Sequence, residues 1–293
     1  MLASEPVSQL ASERVSGLTG EPANRQTGKR IMRLFNRVAI VGTGLIGGSI
    51  ALAIKKKRLA GEVIGVSRHK KSLLLAKKKG AIDRGSQEID IIKDADILIL
   101  ATPPSTIIDL APKILKIIGK GCIVTDVAST KEGLVSSLSK IFPNYVGSHP
   151  LAGSEKRGII NADPEIFKNS LCILTPIKNT TKKALKKVNL LWRQLGAKTV
   201  LLSPKSHDKI LSFTSHLPHS IAFSLINSMP LSYLKFASTG LNDTTRIASS
   251  DSELWTDIFL SNQKNMLKTI GLFQDALSRI KSAIQKKDKK QLT

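Results

Sequence analysis

The apolar positions change their period along the chain. Val38–Val41, Glu62–Val66, Asp96–Ala101 and Cys122–Thr125 are short runs rich in Val, Ile, Leu and Ala. Runs of that length fit strands covered on both faces. Between them, residues 45–57, 70–79, about 88–94, 104–118 and 130–140 carry helical spacing. Tyr145–Ser148 reads as another short strand. After Gly153 the pattern loosens to a strand at Ser170–Thr175, a helix at 181–195 and a last strand at Lys198–Leu202. From Ser206 to about Lys286 the spacing is helical throughout, and Ser203-Pro204 marks the break before it. Strands alternating with helices predict a parallel sheet with helices on both faces.

The first strand runs into Gly42-x-Gly44-x-x-Gly47 and then an apolar helix. A dinucleotide pyrophosphate needs that spacing. Gly42 permits the tight turn, Gly44 lets phosphate approach the backbone, and Gly47 lets the helix pack on the strand. Leu45 and Ile46 lie at the start of the helix, where free N–H groups meet the anion. The strand–turn–helix context supports a Rossmann-type, doubly wound α/β domain over 37–203, followed by an all-helical domain over 204–293. Residues 1–36, rich in Ser, Glu, Gly and Pro, read as a disordered leader. Glu5, Glu13 and Glu21 argue against a transit peptide.

The second strand ends in Val66-Ser67-Arg68. An acidic residue there would grip the ribose 2′-hydroxyl of NAD, and it is absent. Ser67 and Arg68 suit a 2′-phosphate, so NADP is preferred over NAD. The alternative is that Arg68 is a solvated helix-start residue. Thr102 follows the 96–101 strand and faces the same edge.

Composition narrows the class. The 293 residues are 41% hydrophobic and contain no apolar run near the roughly 20 residues that cross a bilayer. Cys122 and Cys172 sit in apolar runs without metal-ligand spacing, as reduced thiols of a cytoplasmic protein do. No metal site is expected. The net charge of +23 raises nucleic acid as a partner, but the lysines are dispersed and aromatics are 4%. A solvated basic surface that attracts anionic small molecules is the better account.

Ligands of open α/β sheets sit beyond the carboxyl ends of the strands. There the chain places Thr102-Pro103-Pro104, Asp126-Val-Ala-Ser129-Thr-Lys131 and His149-Pro-Leu-Ala-Gly-Ser154-Glu155. Pro150 holds His149 extended, bringing a proton acceptor to the cofactor edge. Ser129 either caps a helix starting at 130 or bonds the imidazole or a substrate hydroxyl. Ser215-His216-Leu-Pro-His219 and Asn242-Asp-Thr-Thr-Arg246 add polar groups from the helical region. Arg246 suits a carboxylate or a surface pair with Asp243. His216 and His219 read equally as helix-start residues without chemical duty.

Together, Gly42-Thr-Gly-Leu-Ile-Gly-Gly-Ser49, Asp126-Val-Ala-Ser129-Thr-Lys131, His149-Pro-Leu-Ala-Gly153, Ser215-His-Leu-Pro-His219 and Thr245-Arg-Ile-Ala-Ser249 resemble the prephenate/arogenate dehydrogenase family of tyrosine biosynthesis. The resemblance covers about residues 37–285. It implies that His149 polarises or deprotonates the ring hydroxyl while hydride leaves the same carbon, that Ser129 positions both, and that Arg246 holds a substrate carboxylate. It also implies that His219, with His216, lines the substrate site, and that the helical domain makes a homodimer. The implied reaction is NAD(P)-dependent oxidative decarboxylation of prephenate, a small dianion, to 4-hydroxyphenylpyruvate. Arogenate is the alternative substrate. The competing readings are a hydroxy-acid or imine dehydrogenase and a non-catalytic NADP-sensing regulator.

Overall fold

The computed structural model describes residues 33–153 and 156–292. The expected leader lies outside the described residues up to position 32, as do Ser154 and Glu155. Eight strands form one sheet: β1 Phe35–Val41, β2 Ala60–Val66, β3 Arg84–Ser86, β4 Ile97–Leu100, β5 Ile123–Asp126, β6 Tyr145–Pro150, β7 Leu171–Thr175 and β8 Lys198–Leu201. Their spatial order is β3-β2-β1-β4-β5-β6-β7-β8. Strand β1 starts three residues before the apolar run does, so Phe35 and Asn36 belong to the sheet and not to a leader.

Helices α1 Leu45–Lys56, α2 Lys70–Lys78, α3 Pro104–Ile117, α4 Glu132–Ile141 and α5 Lys182–Leu195 connect the strands. Alternate residues of β1 serve opposite faces. Val38 and Ile40 join the core on one side, which holds Ile54, Val188 and Trp192. Ala39 and Val41 join the other, with Ile107, Leu138 and Phe142. Helix α5 is anchored at both ends: the Thr181 hydroxyl accepts from Ala184 N, and Gly196 closes it at φ +103°.

One strand corrects the expectation of a parallel sheet. Strand β7 runs antiparallel to β6, with His149 opposite Ile173 and Pro150 opposite Cys172. A parallel return needs a crossover, usually a helix. Between β6 and β7 the described residues hold only one short 3-10 turn, Ile159–Asn161. The pairing also extends β6 through His149 and Pro150, two residues further than the apolar pattern indicated.

Beyond β8 the chain forms α6 Pro204–Leu211, a π turn Ser212–His216, α7 Leu217–Asn227, α8 Thr239–Thr245, α9 Ser252–Ser261, α10 Gln263–Gln285 and α11 Lys289–Leu292. The expected continuous helicity is broken by that π turn and by 3-10 turns at Leu231–Phe236 and Arg246–Ser249. Pro218 explains the first break: it lacks an N–H, and the turn preceding it widens. By packing, Ile31–Met266 form one compact unit and Leu267–Thr293 belong to another. Residues 204–266 are tied to the turn after β5 by hydrogen bonds such as Thr130 Oγ1 to Ser261 Oγ at 2.9 Å.

Candidate active site

Strand order reverses between β1 and β4, and connections leave that point in opposite directions. A crevice opens there beyond the strand ends. The observed cleft measures about 1430 Å³ and is lined by Gly44, Leu45, Ile46, Arg68, Thr102, Ser129, His149, Ser215, His219 and Arg246, among others. Expected cofactor, catalytic and substrate residues thus meet in one space within the Ile31–Met266 unit.

Three glycines divide the work at the cofactor end. Gly42 sits at φ +100°, and a Cβ there would lie 2.4 Å from the Ala101 carbonyl oxygen. A Cβ on Gly47 would lie 2.0 Å from the Gly42 carbonyl oxygen. Neither residue lines the cleft; they shape the turn. At Gly44 a Cβ would meet nothing within 4 Å, so the space over the start of α1 is open. No side chain caps that helix. Thr102 Oγ1 is buried without a protein partner. An open helix N-terminus and an orphaned hydroxyl fit a dinucleotide phosphate. At the far end, the Ser67 hydroxyl accepts from His69 N at 3.2 Å and does not line the cleft, whereas Arg68 does.

His149 is buried, 9% exposed, on β6. Its Nδ1 lies 2.8 Å from Nε2 of His207, and His207 Nδ1 lies 2.7 Å from Asp208 Oδ1. The protonation pattern follows from the carboxylate, which only accepts. His207 donates from Nδ1, its Nε2 accepts from His149 Nδ1–H, and His149 Nε2 keeps its lone pair. Burial, His207, Lys131 and His216 hold the His149 pKa well below the usual imidazole value. His207 is also lowered, by burial, against the pull of Asp208. Two neutral imidazoles result.

Ser129 lines the cleft from the turn after β5, but the Nδ1 partner of His149 is His207. Nor does Ser129 cap a helix. Helix α4 starts at Glu132, and its first N–H groups are taken by Asp208: Lys131 N donates to Oδ1 at 2.7 Å and Glu132 N to Oδ2 at 2.8 Å. One carboxylate caps α4 and orients His207.

On the helical side His219 stacks on Trp255, centroids 3.6 Å apart at 21°. Its Nδ1 lies 2.9 Å from the Ser215 carbonyl and must donate to it. Burial and nearby Arg246 lower its pKa. Arg246 opens the 3-10 turn that faces the cleft. His216 departs from its expected role. It is 1% exposed, lies outside the cleft lining, and its Nδ1 meets the Asn262 amide at 3.1 Å. The π turn places His216 in the core, edge-on to the same Trp255 on which His219 stacks.

His207, Asp208 and Trp255 escaped the sequence reading. A His-Asp pair opening a helix just after Ser203-Pro204 was the available signal for the first two. Trp255, one of two tryptophans in the chain, stands one turn after the Asp251 cap of α9.

A glycine loop and a buried, neutral imidazole opening into one cleft define an NAD(P)-dependent oxidoreductase. Residues 50–201 match the model for the prephenate dehydrogenase nucleotide-binding domain, and residues 203–293 match that for the prephenate dehydrogenase dimerization domain. The chain belongs to the prephenate dehydrogenase family. It is 36% identical to prephenate dehydrogenase of Bacillus subtilis over 89% of this chain and 73% of that one. It is 32% identical to cyclohexadienyl dehydrogenase of Zymomonas mobilis, over 88% of this chain and 91% of that one. The crystal structure of Aquifex aeolicus prephenate dehydrogenase, in complex with hydroxyphenyl propionate and NAD+, superposes with a TM-score of 0.83 at 34% identity, covering 88% of this chain and 93% of that one.

Proposed function

We propose that this chain oxidatively decarboxylates prephenate to 4-hydroxyphenylpyruvate, with His149 as the proton acceptor. The observation that carries the reading is the Asp208–His207–His149 chain, which ends in the cleft with its last lone pair unprotonated. When bound, the nicotinamide cofactor accepts the hydride. Every other task falls to side chains. His149 takes the hydroxyl proton from the carbon that loses hydride, and Ser129 steadies that hydroxyl. Arg246 grips a carboxylate. The ring carboxylate leaves as CO₂; its bonding pair closes the aromatic ring, and the ring oxygen, left as a phenolate, takes its proton back from His149. Orientation and charge placement supply the catalysis. Gly44, Thr102 and the start of α1 hold the pyrophosphate side of the cofactor, and Arg68 the ribose side, where it favours NADP over NAD. Mixing the protein with prephenate and each nicotinamide, and following reduced cofactor by absorbance, tests the reading. No reduction with either cofactor overturns it.

A second reading, with arogenate as substrate, draws on His219. With Nδ1–H committed to Ser215, the neutral ring offers Nε2 as an acceptor, which suits an ammonium better than a keto oxygen. Parallel assays with both substrates decide between them.

We also infer a homodimer built by residues 204–293, with 37–203 as the cofactor domain. The match to a dimerization-domain model supports it, as do Leu231, Tyr233 and Phe236, all exposed. Light scattering that gives a monomer overturns it. Among the described residues no helix is long and apolar enough to cross a membrane.

A further inference from the structure

Lysine is the residue least expected in a protein core, yet Lys131 is 0% exposed. Its ammonium lies 2.5 Å from Asp126 Oδ2, 2.7 Å from the Ala128 carbonyl and 3.2 Å from the Thr130 carbonyl. Asp126 is held in turn: Tyr145 Oη donates to Oδ1 at 2.7 Å and Ala128 N to Oδ2 at 2.9 Å. The turn that carries Ser129 is therefore wrapped around one buried ion pair. The stem of Lys131 reaches this place across Gly147, where a Cβ would come within 3.3 Å of Lys131 Cδ. Gly147 and His149 lie two residues apart on β6, so they share a face. The stem of Lys131 thus runs along the face of β6 that carries the imidazole, in a core that solvent does not screen.

We propose that Lys131 is a positioning residue of this reaction: its buried ammonium holds the Ser129 turn against β6 and, as a fixed charge, keeps the His149 imidazole unprotonated and ready to accept. A buried pair alone is weak support for stability, since well-packed apolar groups often replace one without loss. A cation set beside a base has a direct chemical effect, because it opposes a second positive charge. The groups facing His149 are His207 and Asp208 from α6, His216 from the π turn, Cys172 from β7, and Lys131 with Asp126 from the β5 side. Lys131 stands among the causes that lower His149, behind burial and His207. Its influence also reaches His207, where Asp126 partly offsets it. The inference rests on the reading of His149 as the proton acceptor.

The test is the double variant Asp126→Asn/Lys131→Met in the full chain, which removes both charges together and strands neither. With prephenate and nicotinamide cofactor, kcat/KM is expected to fall about 10-fold or more, as for a displaced acid–base group. The acid limb of its pH profile should move up toward the ordinary imidazole range. Cofactor affinity by fluorescence titration should stay within about twofold, since the pyrophosphate and ribose sites are untouched. A double variant with the wild-type kcat/KM and acid limb overturns the inference. So does a fall in kcat/KM with an unmoved limb, which is what a merely structural role produces. A second measurement needs no variant: NMR titration of labelled histidine in the wild-type protein. His149 should stay neutral well below pH 6.5, and titration at the ordinary value overturns the inference. A wild-type protein that leaves prephenate untouched removes the underlying reading; an active wild type with an indifferent double variant removes only this inference.

Discussion

His207 Nε2 lies 2.8 Å from His149 Nδ1, and this contact decides which nitrogen of His149 is a base. Only an acceptor at that place leaves Nε2 with its lone pair toward the cleft. His207→Leu removes the acceptor and strands a buried N–H. We expect kcat/KM to fall on the order of 10²-fold, with partial recovery in His207→Gln, whose carbonyl can accept. Steady-state kinetics of the two variants side by side check this; equal activities would refute the tautomer argument.

His149→Asn keeps the volume and hydrogen bonding of the site but not its basicity. The expected loss in kcat is ~10²–10⁴-fold, the usual cost of a general acid–base group. Cofactor affinity should be unchanged, because Gly44 and Thr102 lie elsewhere in the cleft. An unchanged kcat would refute the assignment of His149 as the proton acceptor.

Gly44 and Gly47 separate binding from folding. Gly44→Ala meets nothing within 4 Å, so the protein should fold and melt normally. Its new methyl occupies the space over the helix start, and cofactor affinity should fall by roughly 10-fold or more. Gly47→Ala drives a Cβ to 2.0 Å from a backbone oxygen. It should lower the melting temperature before any cofactor is added. Thermal melts with and without cofactor distinguish the two outcomes.

His149, His207 and His216 are buried with pKa values lowered by burial, His216 to about 4. Each is neutral in the folded chain down to its own lowered pKa, whereas in the unfolded chain it protonates near pH 6.5. Stability is thus full above about 6.5 and is lost as pH falls toward 4. For His216 alone the shift corresponds to roughly 3 kcal/mol. Melting temperatures should be flat from pH 7 to 8 and drop below 6.5. A melting temperature constant down to pH 4.5 would contradict the burial assignment.

Much of this was legible in the chain because the determinants are local. Gly42, Gly44 and Gly47 act through the backbone of their own turn. The alternation of Val38, Ala39, Ile40 and Val41 assigns two faces without reference to any other segment. Other features depend on distant residues. The direction of β7 is set by how residues 151–170 return, not by the composition of Leu171–Thr175. His149 and His207 are 58 positions apart, and no pattern around either marks the pairing. Lys131 looked like an ordinary polar residue of its motif because lysine normally faces water. What holds it inside is Asp126 and the carbonyls of Ala128 and Thr130.

The carboxylate of Asp208 already receives the backbone N–H groups of Lys131 and Glu132 and the ring N–H of His207. A proton arriving at His149 therefore finds no welcome further inward. It must depart the way it came, back to the phenolate oxygen that loss of CO₂ leaves on the ring. The same proton is thus lent and returned at the entrance, and the interior stays electrically unaltered from one cycle to the next.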